Sequence, residues 1–100
     1  GRGRRAANDC SDLAALRQAI DALDRALVGL FAERERYIRR AAELKRDNGL
    51  PARIPDRVEE VIARVRRAAE ASGADPDLLE TVWRAVIEHA IALEERALSQ

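Results

Sequence analysis

Residues 16–45 read LRQAIDALDRALVGLFAERERYIRRAAELK, and their apolar side chains recur at alternating intervals of three and four. This spacing places one apolar stripe along an α-helix. Ser11 or Asp12 can cap the start of the helix, because their side-chain oxygens accept hydrogen bonds from free N–H groups. At Asn48-Gly49 the backbone can adopt the left-handed conformation that ends a helix. The pattern therefore predicts one helix from about residue 12 to about residue 47.

The length of this helix indicates that the chain works as an oligomer. The predicted helix would be roughly 50 Å long at its usual rise per residue. A compact monomer of 100 residues has a radius of gyration of only about 13 Å. A chain this short also buries a limited share of its surface. We therefore expect the long helix to pack against another chain.

Two further helices follow the long one. A linker bracketed by two prolines, residues 50–55, leads into a second helix predicted over about residues 56–72. Gly73 ends that helix, and Asp75 as N-cap with Pro76 in the first turn opens the third. No segment has the alternating pattern of a strand, so the sequence predicts an all-α protein with a long helix and two medium helices.

Composition and charge exclude several classes of function. The chain has 18 basic and 18 acidic residues, which argues against a nucleic-acid partner. No apolar run is long enough to cross a membrane and no signal peptide is recognisable, so we expect a cytoplasmic protein. Cys10 is the single cysteine, which rules out an intrachain disulfide and a cysteine zinc site. Residues 1–10 are predicted to be a disordered arm, and residues 11–100 one helical domain.

Charged residues within the apolar stripes are the candidate functional residues, because an unpaired buried charge is costly. Arg34 continues the stripe of the long helix, and Lys45 lies almost three turns further on, roughly 16 Å away. Both can lean towards one small anion. Arg17 is roughly 42 Å from Lys45 along the helix, so the two can share a ligand only across an antiparallel dimer. Glu94 faces inward on the third helix. An alternative is that Arg34 and Glu94 form a buried ion pair that binds nothing.

The same residues resemble a known family, the all-helical (type II) chorismate mutases. The matching pieces are Leu16-Arg17, Ile20-Asp21, Leu23-Asp24, Ala32-Glu33-Arg34 with a lysine eleven residues later, Asp56-Arg57, and VIEHAIALEE at residues 86–95. The resemblance implies an intertwined homodimeric helical bundle with two identical active sites, each built from both chains. It also implies that chorismate rearranges to prephenate, in the biosynthesis of aromatic amino acids, without a metal or a cofactor.

The resemblance further implies a role for each charged residue. Arg17 of the partner chain would bind one substrate carboxylate, and Arg34 would bind the other. Lys45 would donate a hydrogen bond to the ether oxygen whose bond breaks. Arg57 is similar to an arginine that either contacts the substrate or supports the residues that do. Glu94 replaces a glutamine that donates to the same oxygen. A carboxyl donates only when it is protonated, so we expect activity to fall as the pH rises.

Besides Glu94, two positions depart from the family pattern, and the identity of the substrate stays undecided. Val58 stands where many mutases have a glutamate that binds the ring hydroxyl, and Ala90 stands where some have a serine. Both are therefore candidate substrate-binding positions. Val58 and the opening Asp9-Cys10 also resemble the related isochorismate pyruvate-lyases, which form salicylate and pyruvate. A third alternative is a helical dimerisation module without catalytic activity.

Overall fold

A computed structural model of the chain describes residues 6–100 and confirms the three predicted helices. Helix α1 spans Leu13–Asp47, α2 spans Pro55–Ser72 and α3 spans Pro76–Leu98. No strand occurs in this part of the chain. None of its helices is both long and apolar enough to cross a membrane.

The helices begin and end at the signals that the sequence indicated. Asp12 Oδ1 accepts a hydrogen bond of 2.7 Å from the main-chain nitrogen of Ala15 at the start of α1. Asp75 Oδ1 accepts 2.9 Å and 3.4 Å hydrogen bonds from the first turn of α3. Gly49 and Gly73 adopt positive φ angles of 66° and 78° after α1 and α2. Glycine adopts this left-handed conformation without a steric penalty, so it is well suited to end each helix.

The predicted N-terminal arm lies partly outside the described residues, which begin at residue 6. In the described part, Ala7–Asp9 forms one turn of 3-10 helix. The Asp9 N–H donates to the Ala6 carbonyl at 3.0 Å and closes this turn. The boundary between an arm and a helical domain near residue 11 stays a prediction.

The chain divides into two units, and the hydrophobic core lies in the second. The first unit ends at Glu35 and the second comprises Arg36–Gln100. In the second unit, α2 packs against α3. The linker that precedes α2 contributes Ala52 to the core between them. The buried members of this core cluster are Ala52, Ile62, Ile87 and Ile91, with Val58, Val61, Trp83 and Leu98 packed against it.

Helix α1 keeps most of its apolar stripe exposed in the single chain. Ala42 is its one buried residue. Large aliphatic side chains along the stripe remain in contact with solvent, and they include Leu13, Ile20, Leu23, Leu27 and Leu30. A contiguous apolar surface of this kind typically marks an interface.

Arginines on the surface of the second unit connect α2 to α3. Arg66 Nη1 lies 3.0 Å from carboxylate oxygens of both Asp77 and Glu80. Arg84 lies 3.2 Å from Glu59 and 2.8 Å from Glu80. The hydrogen bond from Arg84 is the main cause that lowers the pKa of Glu80 below its usual value. Exposed pairs of this kind add little to stability, so the buried aliphatic core holds the two helices together.

Candidate active site

Lys45 lies in the last turn of α1, where the chain reverses direction. The left-handed Gly49 lets the Leu50 N–H donate to the Lys45 carbonyl at 2.8 Å, which turns the linker back along the helix end. Lys45 Nζ in turn donates a hydrogen bond of 2.6 Å to the main-chain carbonyl of Ala52. The Lys45 side chain is 19% exposed. The backbone that follows α1 thus holds the Lys45 ammonium group at a mostly buried position.

Glu94 contributes a buried carboxylate to the same place. This residue of α3 is 4% exposed, and it is the one charged residue buried in the described part of the chain. Its Oε2 atom lies 2.6 Å from Lys45 Nζ. Oε2 has no partner at hydrogen-bond geometry among residues 6–100, so the contact is an ion pair without a directed hydrogen bond. Burying two charges is costly even when they pair, which makes a purely stabilising role a poor explanation of this site.

The arrangement suits an acceptor atom on a small anionic ligand. An ammonium group has three N–H donors, and two of them suffice for the contacts to Ala52 and Glu94. Because the surroundings are largely closed to water, the electrostatic attraction of the ammonium is stronger than it would be at the surface. Lys45 can therefore stabilise negative charge that develops on a ligand beside it.

The other predicted site residues of the second unit lie in different surroundings. Ala90 is 8% exposed and lies one turn before Glu94 on the buried side of α3. Val58 is half-buried and packs against the core cluster. Arg57 is exposed, and its guanidinium forms an ion pair with Glu60 on the same helix. The structure thus brings Lys45 and Glu94 together, while Arg57 is engaged at the surface.

Arg17 and Arg34 lie on the part of α1 that belongs to the first unit. Arg17 is exposed and Arg34 is half-buried. Their predicted roles as carboxylate-binding residues stay predictions. The sequence raised an ion pair between Arg34 and Glu94, whereas the ion pair that the structure shows for Glu94 is with Lys45.

Sequence reasoning missed three contacts that involve the end of α1, the linker and α3. The sequence did not predict that the Ala52 carbonyl contacts Lys45. Every residue has a carbonyl oxygen, and no side-chain type marks those that make such a contact. Arg46 Nη2 donates to the Ala97 carbonyl at 2.6 Å and connects the ends of α1 and α3. Arg53 donates two hydrogen bonds to Glu88, at 2.8 Å and 2.6 Å, and thereby lowers the pKa of that carboxyl. For Ala52 and Arg53, the proline-bracketed linker was the sequence signal that this segment turns between two helices.

The same part of the chain contains no candidate metal site. Among residues 6–100, no group of three or more histidine, cysteine, aspartate or glutamate side chains could hold a metal ion. The expectation of a reaction without a cofactor stays a prediction.

Comparisons with known proteins identify sequences that are similar to this chain. The profile described as chorismate mutase type II matches residues 16–95. The T-protein of Enterobacter agglomerans is 39% identical over 84 residues, which cover 84% of this chain but only 22% of the T-protein. The chorismate mutase of Methanocaldococcus jannaschii is 30% identical over 88 residues, which cover 88% of this chain and 89% of that protein.

A third relative is named for a different activity. The isochorismate pyruvate lyase of Pseudomonas aeruginosa is 33% identical over 85 residues, which cover 84% of this chain and 82% of the lyase. The family profile covers most of the chain and includes both Lys45 and Glu94. The chain therefore belongs to the type II chorismate mutase family.

Proposed function

We propose that this chain catalyses the rearrangement of chorismate to prephenate. The observation that carries the proposal is the half-buried ammonium of Lys45, which lies 2.6 Å from Glu94 within the region that matches the family. A site of this kind has no need of a nucleophile, because the reaction is intramolecular. One carbon–oxygen bond of the ether breaks while one carbon–carbon bond forms, and no atom is gained or lost.

The chemistry of the transition state explains why this site is cationic. Partial negative charge develops on the ether oxygen as its bond to carbon lengthens. Lys45 donates a hydrogen bond to that oxygen, and Glu94 in its protonated form donates a second. Donors held in place before the reaction stabilise such charge better than water, which must reorganise.

We further propose that two chains form an intertwined homodimer and complete each site together. The exposed aliphatic stripe of α1 supports this, since a second copy of the same helix would bury it. Arg34 and Arg17 of the partner subunit then bind the two carboxylates of the substrate through bidentate hydrogen bonds. Arg57 leaves Glu60 to face the substrate, and Val58 and Ala90 border its ring.

A mixture of two inactive variants tests whether sites are shared. Arg17→Ala and Lys45→Met should each be inactive alone. In a mixed dimer, one site receives its arginine from the Lys45→Met chain and its lysine from the Arg17→Ala chain, so it is intact. Random pairing after unfolding and refolding together should therefore restore about a quarter of wild-type activity.

The matched control mixes Arg34→Ala with Lys45→Met, whose residues are proposed to serve the same site from one chain. Each site of a mixed dimer then lacks either Arg34 or Lys45, so this mixture should stay inactive. A second control is the double variant Arg17→Ala/Lys45→Met refolded with wild type, in which every site of a mixed dimer lacks one residue. Recovery in that mixture beyond the share of wild-type dimers would contradict shared sites.

The proposed donor role of Glu94 predicts a pH dependence of the rate. As a carboxylate, Glu94 has no proton that it could donate to the ether oxygen. Activity of the wild type should therefore decline as the pH rises. Glu94→Gln carries a permanent amide donor, so its kcat/KM should be flat over the same range and higher than wild type at alkaline pH.

Glu95→Gln is the matched control for this experiment, because Glu95 is the exposed neighbour of Glu94 on α3. Its pH profile should follow that of the wild type. If Glu94→Gln keeps the alkaline decline, then another group controls the rate and Glu94 does not act as a protonated donor.

The deciding experiment compares chorismate and isochorismate as substrates of the purified chain. Formation of prephenate from chorismate at an enzymatic rate is the result we expect. The second candidate is isochorismate pyruvate lyase activity, which Val58 and the Pseudomonas relative favour. Predominant formation of salicylate and pyruvate from isochorismate would establish that activity and overturn the first proposal.

The third alternative, a dimerisation module, makes a different prediction. A folded chain that converts neither substrate would support it, especially if Lys45→Leu and Arg34→Leu form stable dimers. In that case the buried charges would serve the assembly alone.

A further inference from the structure

The Lys45 ammonium is held by a main-chain oxygen as well as by a carboxylate. Its Nζ atom donates to the Ala52 carbonyl at 2.6 Å and lies 2.6 Å from Glu94 Oε2. The contact to Glu94 has no hydrogen-bond geometry at that oxygen. The Ala52 carbonyl is therefore the acceptor that gives the ammonium a direction.

The Ala52 carbonyl is itself fixed by the hydrophobic core. Ala52 is 6% exposed, and its methyl group belongs to the buried cluster that Ile62 of α2 and Ile87 and Ile91 of α3 complete. Pro51 precedes it and restricts the backbone of the linker. One residue thus faces the core through its side chain and the ammonium through its carbonyl.

We propose that Ala52 is a positioning residue, whose carbonyl holds the Lys45 ammonium for the reaction while its methyl group anchors that carbonyl in the core. The inference rests on the proposed function, because it assumes that Lys45 acts on the substrate. Lysine has a long flexible side chain with freely rotating donors. A fixed acceptor at its end leaves the remaining donors in defined directions before the substrate binds.

Two variants separate the anchor from the acceptor. Ala52→Gly removes the methyl group and leaves the carbonyl free to move. An ester in place of the amide between Ala52 and Arg53, introduced by chemical synthesis, weakens the carbonyl as an acceptor and leaves both side chains unchanged. Ile62→Val is the matched control, because it removes one methyl group from the same core cluster and leaves the Ala52 carbonyl unchanged.

The first readout needs no substrate. Lys45 is the only lysine in the chain, so a chain labelled with 15N-lysine gives a single Nζ resonance. Exchange of the Nζ protons with water should be about tenfold faster in the glycine and ester variants than in the wild type, which is the factor for one lost hydrogen bond. Ile62→Val should leave the exchange unchanged, although it also lowers Tm.

The second readout is the rate with chorismate. Misplacement of a reacting group by about 1 Å costs on the order of a hundredfold in rate. We expect kcat of the glycine and ester variants to fall by about 10- to 100-fold while KM stays nearly constant. Ile62→Val should keep kcat.

The outcomes distinguish this inference from the proposed function. Faster exchange together with lower kcat at constant KM supports the positioning role. Unchanged exchange in the ester variant overturns it, and so does faster exchange with wild-type kcat. A wild-type chain that converts no substrate overturns the proposed function instead, whatever the exchange of the Nζ protons shows.

Discussion

Lys45→Met is expected to lower kcat/KM for chorismate by about 100- to 1,000-fold, the usual effect of losing one donor to a developing oxyanion. Methionine keeps much of the length of lysine but offers no donor and no charge. Steady-state rates of prephenate formation, measured under identical conditions for variant and wild type, provide the test. Glu94 is the nearest acidic group, and it cannot replace the lost cation.

Arg40→Met is the matched control for this loss. Arg40 is another basic residue of α1, but its side chain is exposed and pairs with Glu43 one turn away. Its loss should change kcat/KM by less than about twofold, since exposed pairs contribute little. Turnover of Lys45→Met close to that of the wild type would remove Lys45 from the reaction.

The same substitution is expected to destabilise the chain strongly, for a reason separate from catalysis. Lys45→Met leaves the carboxylate of Glu94 buried without its cation. Breaking a buried pair on one side costs about 3–5 kcal/mol, a large part of the roughly 5–15 kcal/mol that stabilises a typical domain. Adding Glu94→Gln to Lys45→Met removes the unpaired charge, so the double variant should recover most of the lost free energy of unfolding.

Urea unfolding at neutral pH and equal chain concentration measures this difference. Equal concentration matters because association contributes to apparent stability. The double variant should be folded yet inactive, which separates the loss of chemistry from the loss of structure. Equal stability of the single and the double variant would show that Glu94 does not depend on the charge of Lys45.

The sequence predicted the helices well because their limits are set by local chemistry. Asp12 and Asp75 cap α1 and α3, and the left-handed Gly49 and Gly73 follow α1 and α2. Each of these signals acts over a few residues and is visible without knowledge of the fold. The 3-10 turn at Ala7–Asp9 was missed because no side-chain cap marks its start.

The site was predictable where a charge interrupts an apolar stripe. This pattern singled out Arg34 and Glu94, and the spacing of eleven residues from Arg34 added Lys45. The structure places Lys45 and Glu94 in contact. The pattern could not show that Ala52 completes the group, because a main-chain oxygen acquires its partner only through the tertiary fold. Val58 was assigned to the substrate, and the single chain places it against the core cluster. Its proposed role at the substrate depends on how a second chain and the substrate complete the site.

The exposed leucines of α1 also bear on how the activity depends on concentration. If a second copy covers this stripe and completes each site, then a single chain is inactive as well as prone to association. Activity per chain would fall once the preparation is diluted below the dissociation constant of the pair, and it would return on concentration. Mass action would then set the working range of the enzyme, with no additional regulatory site required.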